Sequence, residues 1–174
     1  MATLKYFSEK EQEDFVIAAF ALLAPQKVAL EQLGYDSYSL MEPYVYGYAL
    51  GFISTRGKIM IHESGRGFTK EQFQAATAKI MELFFDDEWK NIFGTIRDYL
   101  GSRAEYNAGK SLDDFNTGRL DGRIESYLAH NGYPSPGLLS HFGEMERNEY
   151  EQLRAELMER EGVTIPDYLG LEES

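Results

Sequence analysis

The chain contains no cysteine. Disulfide frameworks, cysteine nucleophiles and thiolate-held zinc are therefore excluded. Histidine is scarce, with three residues at His62, His130 and His141. No Gly-x-Ser-x-Gly elbow, Walker-type phosphate loop or dinucleotide fingerprint occurs, so the common nucleophile and cofactor motifs are missing. The apolar run Phe15–Ala24 is too short to cross a bilayer. It follows Glu9, Glu11, Glu13 and Asp14, where a secretory leader needs positive charge. It reads as a buried helix, and the chain reads as cytoplasmic.

Positive charge is also in short supply. Seventeen Lys and Arg face 29 Asp and Glu, for a net charge of −12. Such a field repels nucleic-acid phosphates and anionic membranes. The expected partner is a protein, and a basic one. The excess is uneven, because residues 141–174 hold ten acids and three bases, a net of −7.

What the chain does have is enough apolar mass for a core. Hydrophobic residues make up 43% of 174, with twelve Tyr and eleven Phe. A single domain over residues 1–174 follows. Breakers and apolar spacing predict a mostly α fold of six to seven helices, at 9–23, 25–33, 43–54, 70–85, 86–101, 112–129 and 136–161. Pro25 divides the first two, Gly34 caps the second and Pro43 opens the third. That third helix is apolar on both faces, which marks a central position. Thr69 with Gln72 forms a capping box, and Phe68 with Phe73 a hydrophobic staple. Trp89, Ile92, Phe93, Ile96, Tyr99 and Leu100 form one stripe of the next helix. Ser111 with Asp114 marks a further start. Ile59 and Ile61, flanked by Gly57, Gly65 and Gly67, predict a minor β-hairpin near 57–66. Leu4–Phe7 is the other short extended candidate, and Ile165, Tyr168 and Leu169 pin the tail to the core.

One internal echo stands out. Gly47-x-x-x-Gly51-x-Ile53 matches Gly118-x-x-x-Gly122-x-Ile124, 71 residues on. Glycine costs roughly 1 kcal/mol against alanine inside a helix. Paired glycines on two helices therefore point to a close backbone crossing.

Four groups of residues are candidates for function. The acidic C-terminal helix presents Glu144, Glu146, Glu149, Glu151, Glu156 and Glu159. Glu151 with Arg154, and Glu156 with Arg160, sit at pairing distance along it. Tyr35, Tyr38, Tyr44, Tyr46 and Tyr48 crowd a short segment, and tyrosine is enriched at binding hot spots. Arg56, Lys58, His62, Ser64 and Arg66 form a basic, glycine-rich stretch within 56–70. It ends at a helix start that offers N–H groups to an anion. Arg119 and Arg123 share a helix with Asp121 and Glu125; the alternation is usual for a solvated face, and the alternative is a cleft lined together with the two glycines. His141 and Glu144 share a face, but one reversed pair is not the repeated Glu-x-x-His of carboxylate-bridged metal bundles. No metal or cofactor is expected.

The leading expectation is a non-catalytic acidic interaction protein. It binds a protein partner through Tyr35, Tyr38, Tyr44, Tyr46 and the glutamates, as an inhibitor, immunity-type antagonist or nucleic-acid mimic. The alternatives are an anion- or nucleotide-binding domain or enzyme built on the 56–70 stretch, with His62 as acid/base and Arg66 on the anion. A third is an oligomeric structural component joined through its glycine-faced helices.

Overall fold

The structure, a computed structural model, describes residues 5–36, 39–40, 42–85, 90 and 107–171. Its helices are α1 (Glu9–Gln32), α2 (Pro43–Ser64), α3 (Lys70–Phe85), α4 (Asn107–His130), α5 (Gly137–Phe142) and α6 (Arg147–Glu161). A 3₁₀ turn, Asp167–Leu169, follows. The fold is all-helical among the described residues, and the hairpin expected near 57–66 is not formed.

Each departure from the sequence reading has a local cause. Ser8 and Glu11 exchange side-chain-to-backbone hydrogen bonds, both at 3.2 Å, and so start α1. Pro25 does not divide the helix. It sits on the exposed side, where water can satisfy the carbonyl that its missing N–H abandons. Leu23, Gln26 and Leu30 keep the inner face in register around it. Pro43 opens α2 and Gly65, at φ 71°, ends it. The Ile59/Ile61 alternation does not create a strand, because Ile59 is buried while Ile61 is substantially exposed. What remains of extended pairing is one parallel bridge between Tyr6 and Gly67.

The Thr69–Gln72 box closes at 2.9 and 3.1 Å and begins α3 where expected. The helix expected over 86–101, with Trp89 and its stripe, lies outside the described residues apart from Lys90. Lys90 reaches Glu82 at 3.1 Å. Helix α4 begins at Asn107, so Ser111 and Asp114 lie within it and do not mark its start. The single helix expected over 136–161 is broken between α5 and α6. Gly143 weakens the helix there, and Glu144 takes a left-handed backbone at φ 56°. The turn rotates Tyr150 into the core and leaves Met145 and Leu153 outside.

Helix α2 is the centre of the molecule, with eleven of its residues between Tyr44 and Ile59 buried. It crosses α4 with backbones in contact. A Cβ on Gly47 would overlap the carbonyl of Phe115, and one on Gly51 the carbonyl of Arg119. Reciprocally, a Cβ on Gly118 or Gly122 would overlap the carbonyl of Tyr44 or Tyr48. Each contact recurs with the helices exchanged and the numbers advanced by 71, so the crossing has local two-fold symmetry. The glycines are thus used inside the chain, which removes them from the subunit contact considered above.

Candidate functional site

Two carboxylates, Asp121 and Glu125, stand about one turn apart on α4. Both are 0% exposed. Burying an ion without partners is costly, and each has a full set. Asp121 accepts from Tyr44 Oη at 2.7 Å, from Arg147 Nη1 and Nη2 at 2.5 and 2.8 Å, and from Arg154 Nη1 at 2.7 Å. Glu125 accepts from the Gly137 N–H at 2.7 Å, from Tyr48 Oη at 3.1 Å and from Tyr150 Oη. Tyr48 also shares a hydrogen bond with Gln26 of α1. Five helices thus meet at this polar core.

Burial pushes the Glu125 carboxyl up to about 7, and nearby Asp121 adds to the rise against the donors from Tyr150, Gly137 and Tyr48. Burial likewise raises the phenols of Tyr44, Tyr48 and Tyr150 far above their ordinary range. The hydrogen bonds that Arg147 donates to Asp121 hold its guanidinium firmly protonated. Burial alone would lower Arg154, but Tyr150 and Asp121 outweigh it and the group is raised.

This core decides how α6 lies. Tyr150 is its buried residue, held between the guanidinium groups of Arg147 and Arg154 at 5.1 and 5.0 Å from its ring. The expected Glu151–Arg154 pair is replaced by Arg147–Glu151 at 2.8 Å, because Arg154 turns inward. Arg160 pairs with Glu161 at 3.3 Å. Two of the three cations on α6 therefore face the interior. Glu144, Glu146, Glu149, Glu151, Glu156 and Glu159 are all exposed. Among them Met145 and Leu153 are 39% and 54% exposed. A shallow groove of about 390 Å³ runs between Met145, Glu149, Gln152, Leu153 and Glu156.

Behind α6 lies a cavity of about 200 Å³, lined by Tyr44, Asp114, Thr117, His141, Met145 and Arg147 among others. His141 stacks on Tyr44 at 4.0 Å and its Nε2 bonds Glu42, not Glu144.

The tyrosines do not form one exposed patch. Tyr44 and Tyr48 are buried. Tyr35 is half-buried and donates to the Phe142 carbonyl at 3.2 Å. Tyr46, also half-buried, packs on Phe115. Tyr38 lies outside the described residues.

The 56–70 stretch is likewise not a ligand loop, since Arg56, Lys58, His62 and Ser64 sit on α2. Arg56 bonds His130, whose Nε2 contacts Glu63 at 2.8 Å. Lys58 donates to the Leu169 carbonyl at 3.3 Å. His62 stacks on Tyr168 at 3.8 Å. Ser64 donates to the Met60 carbonyl at 2.8 Å. Arg66 grips Glu11 at 2.7 and 2.5 Å. These groups serve separate structural contacts and do not converge on an anion.

Asp121 and Glu125 were expected on a solvated face, and the structure corrects this. The signal that could have found them is spacing. Gly118, Asp121, Gly122 and Glu125 follow the 3–4 rhythm of one helix face. A face that carries crossing glycines must be the buried one.

No protein-family model matches the chain, and neither a curated protein nor a solved structure is detectably similar to it. Among the described residues no helix is long and apolar enough to cross a membrane.

Proposed function

We propose that this chain is a non-catalytic acidic interaction protein that docks a basic protein partner on the outer face of α6. The supporting observation is the inward turn of Arg147 and Arg154 onto Asp121. That turn leaves Glu149, Glu156 and Glu159 pointing to solvent beside Met145 and Leu153. Carboxylates around a small apolar strip suit a partner with Lys or Arg around an apolar anchor. Charge complementarity of this kind speeds encounter and selects partners. An antagonist that offers carboxylates where a nucleic-acid enzyme takes phosphates is one form of the same chemistry.

The test uses a lysine- and arginine-rich peptide and the full chain. Binding is expected at low salt and is expected to weaken steeply as the Debye length falls from about 30 Å at 0.01 M to about 8 Å at physiological ionic strength. Joint replacement Glu149→Gln, Glu156→Gln and Glu159→Gln should abolish it without lowering the melting temperature. Binding that ignores both salt and these replacements would refute the docking face.

A further inference from the structure

Helix α1 has an outer face that the docking reading does not use. Between Asp14 and Glu31 every exposed residue of α1 is apolar, namely Ile17, Ala21, Pro25 and Val28. Ile17 is 66% exposed and Val28 50%. A helix that faces water normally carries charge on that side. The one charged residue within 15–30 is Lys27, and it bends onto the Leu83 carbonyl at 3.3 Å and towards Glu31 at 3.8 Å. From Ile17 to Val28 the exposed stripe thus runs about 16 Å without a charge.

Beside this stripe lies a groove of about 380 Å³, on the side of α1 that meets residues 129–139. Ala21, Leu22, Pro25, Ala129, Pro134 and Leu139 make its wall mostly apolar. Gln26 and Ser135 also line it, and both are bonded inward, to Tyr48 and to the Glu125 carbonyl. One face therefore offers an apolar projection at Ile17 and, two turns along, an apolar recess at Pro25. The small residue Ala21 lies midway between them. Projection and recess on one surface are what a self-complementary two-fold contact requires.

Charge selects the direction of such a contact. In an antiparallel pair with its axis at Ala21, exposed Lys10 of one copy stands opposite Glu31 and Gln32 of the other, and Asp14 stands opposite Val28. A parallel pair would set Asp14 on Asp14 and Glu31 on Glu31, and like charges so placed repel.

We propose that α1 is the contact of a two-fold homodimer, packed antiparallel on a second copy of the chain about Ala21. Ile17 of each copy enters the groove beside Pro25 of the other. The Ala21 carbonyl, which Pro25 leaves without an N–H, comes near the axis, where one water can donate to both copies. The contact uses no residue of α6, so it stands or falls independently of the docking reading.

Sedimentation equilibrium of the full chain over a concentration series reads the association. A species of twice the chain's mass is expected. It should tighten as salt rises, because each copy carries −12 and screening weakens their mutual repulsion. Ile17→Asp changes an exposed residue. It should leave the melting temperature unchanged and weaken the dimer roughly a hundredfold, since a symmetric contact loses the side chain twice. Lys10→Glu should weaken it roughly fivefold, and adding Glu31→Lys should restore it. The chain has no cysteine, so single introduced thiols report the register. Under mild oxidation Ala21→Cys should join two copies, because a residue on the axis meets its own mate. Val28→Cys lies about 20 Å from its mate in this arrangement, too far for a disulfide. A monomer at every concentration, or a dimer indifferent to Ile17→Asp, would overturn the proposal. Loss of the dimer at high salt would overturn its apolar basis. Cross-linking as ready at Val28→Cys as at Ala21→Cys, or a charge exchange that does not restore affinity, would overturn the antiparallel axis.

Discussion

The α2–α4 crossing and the docked helix α6 hold the molecule together by opposite means. At the crossing, glycines let two backbones touch, and the contact depends on shape, with close-packed apolar side chains around it. Helix α6 brings one buried residue, Tyr150, and is tied down by Arg147 and Arg154 on Asp121 and by Tyr150 on Glu125. The first contact is insensitive to pH and salt but intolerant of a single added carbon. The second tolerates changes in size on its outer face and depends on charge. A peripheral helix fixed by polar ties can present an outer surface unconstrained by core packing, and in this chain that surface carries Glu149, Glu156 and Glu159.

The largest expected effect breaks the shape-dependent half. Gly51→Ala and Gly122→Ala each place a methyl against a backbone carbonyl of the other helix. Backbone cannot swing aside as a side chain can, so the helices must separate. Overpacking of this kind costs about 1–3 kcal/mol or more, and exceeds the helix-propensity gain of roughly 1 kcal/mol. Leu153→Ala on the outer face of α6 should change stability by less than about 0.5 kcal/mol. Urea unfolding of the three variants checks the contrast. Equal losses at Gly51, Gly122 and Leu153 would deny that the crossing is the tighter contact.

A second prediction sharpens the charge-dependent half. The Glu125 carboxyl is raised by burial from 4.5 to about 7. Below 4.5 it is protonated in both folded and unfolded chains, and its contribution to stability is fully present. Between 4.5 and about 7 the unfolded carboxyl ionises while the folded one keeps its proton. Stability from this group therefore falls as pH rises, and the fall ends above the folded value. The total amounts to about 3 kcal/mol. Glu125→Gln keeps an acceptor for Gly137 and Tyr48 but cannot titrate. The difference in unfolding free energy between wild type and Glu125→Gln should shift by about that amount across this window, against the wild type at higher pH. A difference constant with pH would show that Glu125 titrates normally in the fold.

Much of this contrast could be read from the sequence, and the failures are instructive. The all-helical class, the α3 start at Thr69, the Pro43 start of α2 and the close crossing of the glycine helices follow from local rules. Capping boxes and small-residue spacing act within a few residues, and their physics is complete within that window. What failed depended on distant partners. The hairpin near 57–66 rests on the alternation Ile59–His62 and its flanking glycines, a short local signal that the central helix overrides, and Phe73 lies within 2.8 Å of where a Cβ on Gly57 would stand. The Arg154 pairing was assigned to Glu151 because they share a helix. Asp121, a fully buried carboxylate that also holds Arg147 and Tyr44, is a far stronger attractor than the exposed Glu151. The tyrosine cluster was dense because Tyr44 and Tyr48 serve two buried carboxylates some 77 residues away in sequence. The acidic face is exposed as expected, although its exposure depends on Asp121, which the sequence reading placed in solvent.

The smallest effect concerns the crossing again and runs in the stabilising direction. The local two-fold symmetry extends past the glycines to Thr55 and Ser126, which occupy matching positions 71 residues apart. The hydroxyl of each is buried without a hydrogen-bond partner. Small residues are needed there for the helices to approach, and the hydroxyls are an unrewarded remainder of that need. Ser126→Ala keeps the small volume and removes the stranded polar group. It should raise stability by about 1 kcal/mol, visible as a higher urea midpoint with an unchanged slope. The same substitution at a hydrogen-bonded serine would destabilise. A loss in Ser126→Ala would mean that the hydroxyl has a partner at the crossing, and that polar bonding as well as shape holds α2 against α4.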